Sequence, residues 1–127
     1  MAQILVVDDN PMVRKLLGMA LSRHFSVCEA ADGPSALQAI QRKRPHIVFL
    51  DIMMPSADEG FVLLEALRKD PLTQDLLVAM VTSRADEGAR ELAIAKGADA
   101  FFSKPFHLQE IIDWAGGQLA ALEPKPK

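Results

Sequence analysis

Short, uninterrupted apolar runs alternate along this chain with longer stretches in which apolar residues recur at every third or fourth position. The runs are residues 4–7, 47–50, 76–81 and 100–102, with 25–28 a weaker one that Ser26 interrupts. A strand with one wet face shows polar residues at every second position, so unbroken runs such as Ile4, Leu5, Val6, Val7 predict strands covered on both faces. The stretches between them carry helix punctuation. Asn10-Pro11 supplies a cap and a first-turn proline ahead of Val13, Leu16, Leu17, Ala20 and Leu21. Asp32-Gly33-Pro34 opens a second helix that ends before Pro45, residues 60–68 form a third stopped by Pro71, and residues 86–96 a fourth with Gly97 just past its end. Residues 108–122 form a fifth, which Gly116-Gly117 should fray or bend at about 1 kcal/mol per glycine.

Strand and helix alternating five times predict an α/β fold: a (βα)5 doubly wound parallel five-stranded sheet with right-handed crossovers and helices on both faces. The chain has 127 residues, half of them hydrophobic and 24% charged. That suits one domain over residues 1–122, with 123–127 (Glu-Pro-Lys-Pro-Lys) as a tail or the start of a linker. A net charge of −3 offers no basic face for nucleic acid or anionic lipid. No apolar run is long enough to cross a bilayer, and the acids at positions 8 and 9 come too early for a signal peptide, so a cytoplasmic location is expected. The lone Cys28 lies in an apolar run and is expected to be a small buried hydrophobe.

The chemistry lies at the strand ends. In an open parallel sheet, ligands bind beyond the carboxyl ends of the strands, where strand order reverses. Here the first strand runs into Asp8-Asp9, the third into Asp51, the fourth into Thr82 and the fifth into Lys104. Three converging carboxylates repel one another by about 4 kcal/mol per pair at ~4 Å and an effective dielectric near 20, so the cluster calls for a cation. An oxygen-only donor set suits Mg2+, whereas His24, His46 and His107 are scattered and offer no zinc site. A carboxylate beside Mg2+ is a competent nucleophile toward a phosphoryl group, with Lys104 pairing one of its oxygens and Thr82 donating a hydroxyl once the group arrives.

Val7-Asp8-Asp9-Asn10, Asp51-Ile52-Met53-Met54-Pro55, Val81-Thr82-Ser83, Gly97-Ala98-Asp99 and Lys104-Pro105-Phe106, in that order, resemble the receiver domain of bacterial two-component response regulators, over residues 3 to about 121. The resemblance implies the flavodoxin-like receiver fold with strand order 2-1-3-4-5. It implies Asp51 as phosphoacceptor, Asp8 and Asp9 with Asp51 as the Mg2+ acids, and the Met53 backbone carbonyl as a further metal ligand. Thr82 and Lys104 become the phosphate-sensing pair, Phe101 the aromatic that swings inward, Met53 and Arg84 the residues flanking the attacking water, and Lys104-Pro105 a cis peptide. Ser56-Ala57-Asp58-Glu59 makes the loop after the third strand one residue longer than the family pattern.

As implied partners come a sensor histidine kinase or histidine phosphotransfer protein, and a downstream target or output domain addressed through the fourth helix, fifth strand and fifth helix. Ala100 stands where dimerising DNA-binding members carry an acid, so a monomer or weak dimer without direct nucleic-acid or membrane contact is expected. A haloacid-dehalogenase-type phosphatase also combines Asp, Mg2+, Thr and Lys, but it needs Asp-x-Asp on its first strand and a cap domain. Neither stands here, and no glycine-rich loop follows the first strand to cradle a nucleotide. The expectation is therefore a signalling module rather than an enzyme acting on other substrates. Glu59, Asp86, Glu87, Glu91 and Glu110 read as solvated helix faces.

Overall fold

The computed structural model describes residues 2–52, 59–83 and 87–122. Its elements are β1 (Gln3–Val7), α1 (Pro11–Ser22), β2 (Ser26–Ala30), α2 (Gly33–Arg42), β3 (Ile47–Leu50), α3 (Glu59–Lys69), β4 (Leu77–Thr82), α4 (Glu87–Ala95), β5 (Ala100–Ser103) and α5 (Leu108–Leu122). All four strand pairings are parallel, and the sheet runs β2-β1-β3-β4-β5. Both the alternation and the strand order are those expected.

The unbroken apolar runs are explained by two cores, one on each face of the sheet. Leu5, Val7, Val48, Leu50, Val78 and Met80 face α2, α3 and α4, where Ile40, Phe61, Leu64 and Ala93 pack on them. Ile4, Val6, Ile47, Phe49, Ala79 and Val81 point the other way, onto Leu17 and Leu21 of α1 and Ile111, Ala115 and Leu119 of α5. Adjacent residues therefore serve opposite cores, and each fully buried Leu, Ile or Phe contributes about 1.5–3 kcal/mol. Trp114 of α5 meets Phe49 and Phe102 edge-on, with ring centroids 5.9 and 6.0 Å away.

Helix ends follow the expected punctuation. Asn10 Oδ1 accepts from Met12 N and Val13 N at 3.0 and 3.3 Å, capping α1 and leaving the acids before it free for other work. Asp32 Oδ1 accepts from Ser35 N at 2.8 Å at the start of α2. Gly97, at φ +103°, closes α4 in a left-handed turn in which Ala98 N donates to Ala93 O at 3.0 Å.

The structure differs from expectation in four places. β2 begins at Ser26 and runs on to Ala30 through Glu29, whose charge hides strand character but is held by Arg14 and Lys15 of α1. Cys28 is exposed rather than buried, because β2 is an edge strand and its side chain falls outside the core beneath α2. α5 continues through Gly116 and Gly117 to Leu122, held by Ala115 and Leu119 on either side, both buried against the sheet. Glu59 is not merely solvated: its Oε1 accepts from Gly33 N at 3.2 Å, joining the start of α3 to the start of α2.

Candidate functional site

Asp8, Asp51 and Lys104 stand one residue beyond their strands, where main-chain hydrogen bonds continue the ladders. Asp8 N donates to Ala30 O at 3.1 Å, Asp51 N to Val7 O at 3.1 Å, and Lys104 N to Thr82 O at 2.8 Å. The sheet thus fixes the backbone of each group before its side chain makes any contact. Lys104 and Pro105 are joined by a cis peptide, as the family resemblance implies.

Those side chains converge. Lys104 Nζ donates to Asp8 Oδ2 at 2.8 Å and to Asp51 Oδ2 at 2.9 Å. Asp8, Asp9 and Asp51 each bring a carboxylate oxygen to within 4.8 Å of the others. Asp8 and Asp51 are 4% and 6% exposed, so they interact in a poorly screened setting, whereas Asp9 faces solvent. Among the described residues, the Lys104 ammonium bonds two of these three carboxylates. Asp8 also has its Oδ1 tied to Asn10 N at 2.9 Å.

Burial pushes the Asp8 carboxyl above its usual range. It outweighs the hydrogen bonds from Lys104 and Asn10 and the pull of the ammonium, and the neighbouring Asp51 charge adds to it. For Lys104, burial works against the ammonium, but the hydrogen bonds to Asp51 and Asp8 prevail and hold its proton more tightly than usual. The carboxylate held against its preference, the excess negative charge and the all-oxygen donor set together fit a hard divalent cation of the Mg2+ type.

Thr82 closes β4, fully buried, at the same sheet edge. Phe101 is half-buried on β5, packed on the core beneath α2–α4 with the Arg90 guanidinium carbon 6.0 Å from its ring centroid. Met53 and Arg84, expected to serve as metal ligand and water-flanking residues, lie outside the described residues.

Two supports escaped sequence reasoning. A Cβ on Gly60 would lie 2.0 Å from the Asp51 carbonyl oxygen and 2.6 Å from Ile52 Cα, so α3 can start against the end of β3 only with glycine there. Its amide donates to Ile52 O at 2.7 Å. Arg68 works at the opposite end of the sheet. Its Nε donates to Gly97 O (2.9 Å), its Nη1 to Gln74 O (2.9 Å) and Leu76 O (2.6 Å), and its Nη2 to Asp99 Oδ2 (2.9 Å). A lone glycine at a helix start was the visible signal for the first; nothing local marked the second.

Comparison with known proteins matches the family model for the response regulator receiver domain to residues 4–115. The chain is 39% identical over 105 residues to the response regulator PleD of Caulobacter vibrioides, covering 82% of this chain and 23% of that protein. It is 32% identical over 111 residues to the phosphate regulon transcriptional regulatory protein PhoB of Escherichia coli, covering 87% of this chain and 48% of PhoB. The chain thus spans less than half the length of these relatives. The crystal structure of the receiver domain of NtrX from Brucella abortus superposes with a TM-score of 0.83 at 35% identity, covering 92% of this chain and 98% of that one.

Proposed function

Since this chain belongs to the response regulator receiver domain family of two-component systems, we propose that Asp51 accepts a phosphoryl group from a phosphohistidine and that Asp8 and Asp9 hold Mg2+ beside it. The observation that carries this reading is Lys104 Nζ bridging Asp8 and Asp51 at 2.8 and 2.9 Å, with Asp9 completing the acid cluster.

In this reading Asp51 Oδ attacks phosphorus. The P–N bond of the donor breaks as the O–P bond forms, and the electron pair returns to the imidazole. Lys104, already between Asp8 and Asp51, moves its ammonium onto a phosphoryl oxygen, and the Thr82 hydroxyl donates to another. Asp8, Asp9, Asp51 and the Met53 carbonyl would hold Mg2+, which when bound supplies neutralisation of the charge on the transferring group. Water would later hydrolyse the acyl phosphate, and the family resemblance assigns Met53 and Arg84 to flank its approach. The chain acts on its own Asp51 and turns over no other substrate.

The downstream readout would be the surface of α4, β5 and α5. There a groove is lined by Arg90, Phe101, Pro105, Phe106, His107 and Glu110, so a change at Lys104 lies next to it in sequence and in space. New contacts by Thr82 and an inward turn of Phe101 would alter that groove, a bias on a two-state surface that a partner or an output domain can read. A sensor histidine kinase or a phosphotransfer protein would supply the phosphoryl group. The net charge of −3 argues against nucleic-acid contact by this domain itself, and no helix among the described residues is long and apolar enough to cross a membrane. We propose a cytoplasmic location and a monomer or weak dimer.

Acetyl phosphate with Mg2+ should add one phosphoryl group to the wild-type chain and none to Asp51→Asn, read by intact mass. Equal labelling of both would overturn the assignment of Asp51.

A further inference from the structure

Behind the acid pair stands a support that the chemistry above does not use. Arg14, on the first turn of α1, reaches back so that its Nη1 donates to the main-chain carbonyl oxygen of Asp8 at 2.9 Å. Its Nε donates to Glu29 Oε1 on β2 at 3.2 Å. Glu29 is held from another side by Lys15 Nζ at 3.3 Å. The N–H of Asp8 is meanwhile tied to Ala30 O, the next residue of β2. Both main-chain polar groups of Asp8 are therefore anchored to β2, one directly and one through the guanidinium. With 17% of its side chain exposed, Arg14 is mostly shielded, so these bonds meet little competition from water.

We infer that Arg14, oriented by Glu29, is a positioning residue for the cation site: it fixes the peptide that joins Asp8 to Asp9 and thereby sets how the two carboxylates are presented. The inference rests on the reading of Asp8, Asp9 and Asp51 as a Mg2+ site. A planar fork suits the task, since one guanidinium donates to a carbonyl and a carboxylate in fixed relative directions, which an ammonium does not reproduce. Glu29 also offsets the charge of Arg14, which would otherwise repel a divalent cation bound close by.

That repulsion makes the inference testable by sign. Judged by charge alone, removing Arg14 takes away a cation near the site and should tighten Mg2+ binding. Judged by positioning, removal frees the Asp8–Asp9 peptide and weakens binding, by about tenfold or more on the scale on which groups orienting metal ligands act.

The experiment is calorimetric titration of Mg2+ into the wild-type, Arg14→Met, Glu29→Ala and Lys15→Ala chains, with melting in EDTA to report folding. Expected are a Mg2+ dissociation constant raised about tenfold or more in Arg14→Met, raised in Glu29→Ala, and within about twofold of wild type in Lys15→Ala, which leaves the Arg14 contacts intact. Acetyl phosphate labelling of Asp51 in Arg14→Met should be slow at limiting Mg2+ and recover at saturation. Unchanged or tighter Mg2+ binding by Arg14→Met overturns the inference, as does equal weakening in Lys15→Ala. If Arg14→Met does not fold, unchanged affinity in Glu29→Ala overturns it instead. A wild-type chain that binds no Mg2+ sinks the metal reading itself; a wild-type chain that binds it, alongside unaffected variants, sinks only the role of Arg14.

Discussion

Gly60 packs its α-carbon face against the main-chain carbonyl of Asp51, leaving 2.0 Å where a methyl group would have to stand. The obstacle is backbone, so no rotamer change can relieve it. Gly60→Ala must push α3 away from the end of β3 or shift Asp51 itself. We expect a loss of about 1–3 kcal/mol in stability and labelling by acetyl phosphate slowed about tenfold or more. Thermal melting together with a labelling time course checks this; a variant that matches wild type in both would show that the contact is not a constraint.

Asp8 is an acid whose charge the fold resists. Its carboxyl is raised above the ordinary 3.8, so native stability falls as pH rises from that value through the raised one, and the loss is complete above it. Asp8→Asn should therefore melt higher than wild type at neutral pH in EDTA, because the amide carries no charge for burial to penalise. It should also lose most of the Mg2+-dependent gain in Tm. Differential scanning calorimetry with and without Mg2+ reads both, and a variant that melts lower in EDTA would contradict the sign.

Lys104 is the counterweight. Its ammonium holds its proton more tightly than the ordinary 10.5, so its contribution is present below that pH and disappears as pH rises through the raised value. Lys104→Met takes the ammonium away from two buried carboxylates, Asp8 and Asp51. In EDTA it should lose up to about 3–5 kcal/mol, yet gain more from Mg2+ than wild type does, because the Lys104 ammonium no longer competes for the cluster. A smaller Mg2+ gain in the variant would count against shared occupancy of the site by lysine and metal.

Gly116 and Gly117 point into open space: a Cβ at either position meets nothing within 4 Å. Since α5 is helical through both, Gly116→Ala and Gly117→Ala should each stabilise by about 1 kcal/mol, or about 3–5 °C in Tm for a domain of this size. The two gains should add. No rise in the melting temperature of either would mean that the glycines serve something other than a compromise in helix stability.

Much of this molecule is legible in its sequence because the relevant signals are local. Unbroken four-residue apolar runs mark strands with two cores to serve, and Asn10, Asp32 and Gly97 mark helix ends by their own chemistry. Asp8, Asp9, Asp51 and Lys104 could be grouped because each follows an apolar run, and a parallel sheet brings such ends together. What escaped depends on partners distant in sequence. The charge of Glu29 disguised the end of β2 because Arg14 and Lys15 lie on a different element. The exposure of Cys28 follows from β2 standing at the sheet edge, and Glu59 caps a helix 26 positions away.

Arg68 carries a consequence of its own. A single guanidinium knits the exit of α3, the approach to β4 and the turn between α4 and β5, saturating three carbonyls and one carboxylate. Lysine would retain the positive charge yet, with one nitrogen in place of three, could not span those acceptors. At this corner of the molecule like-for-like exchange by charge is therefore no safeguard: the shape of the cation, more than its sign, is what the floor of the domain is fastened with.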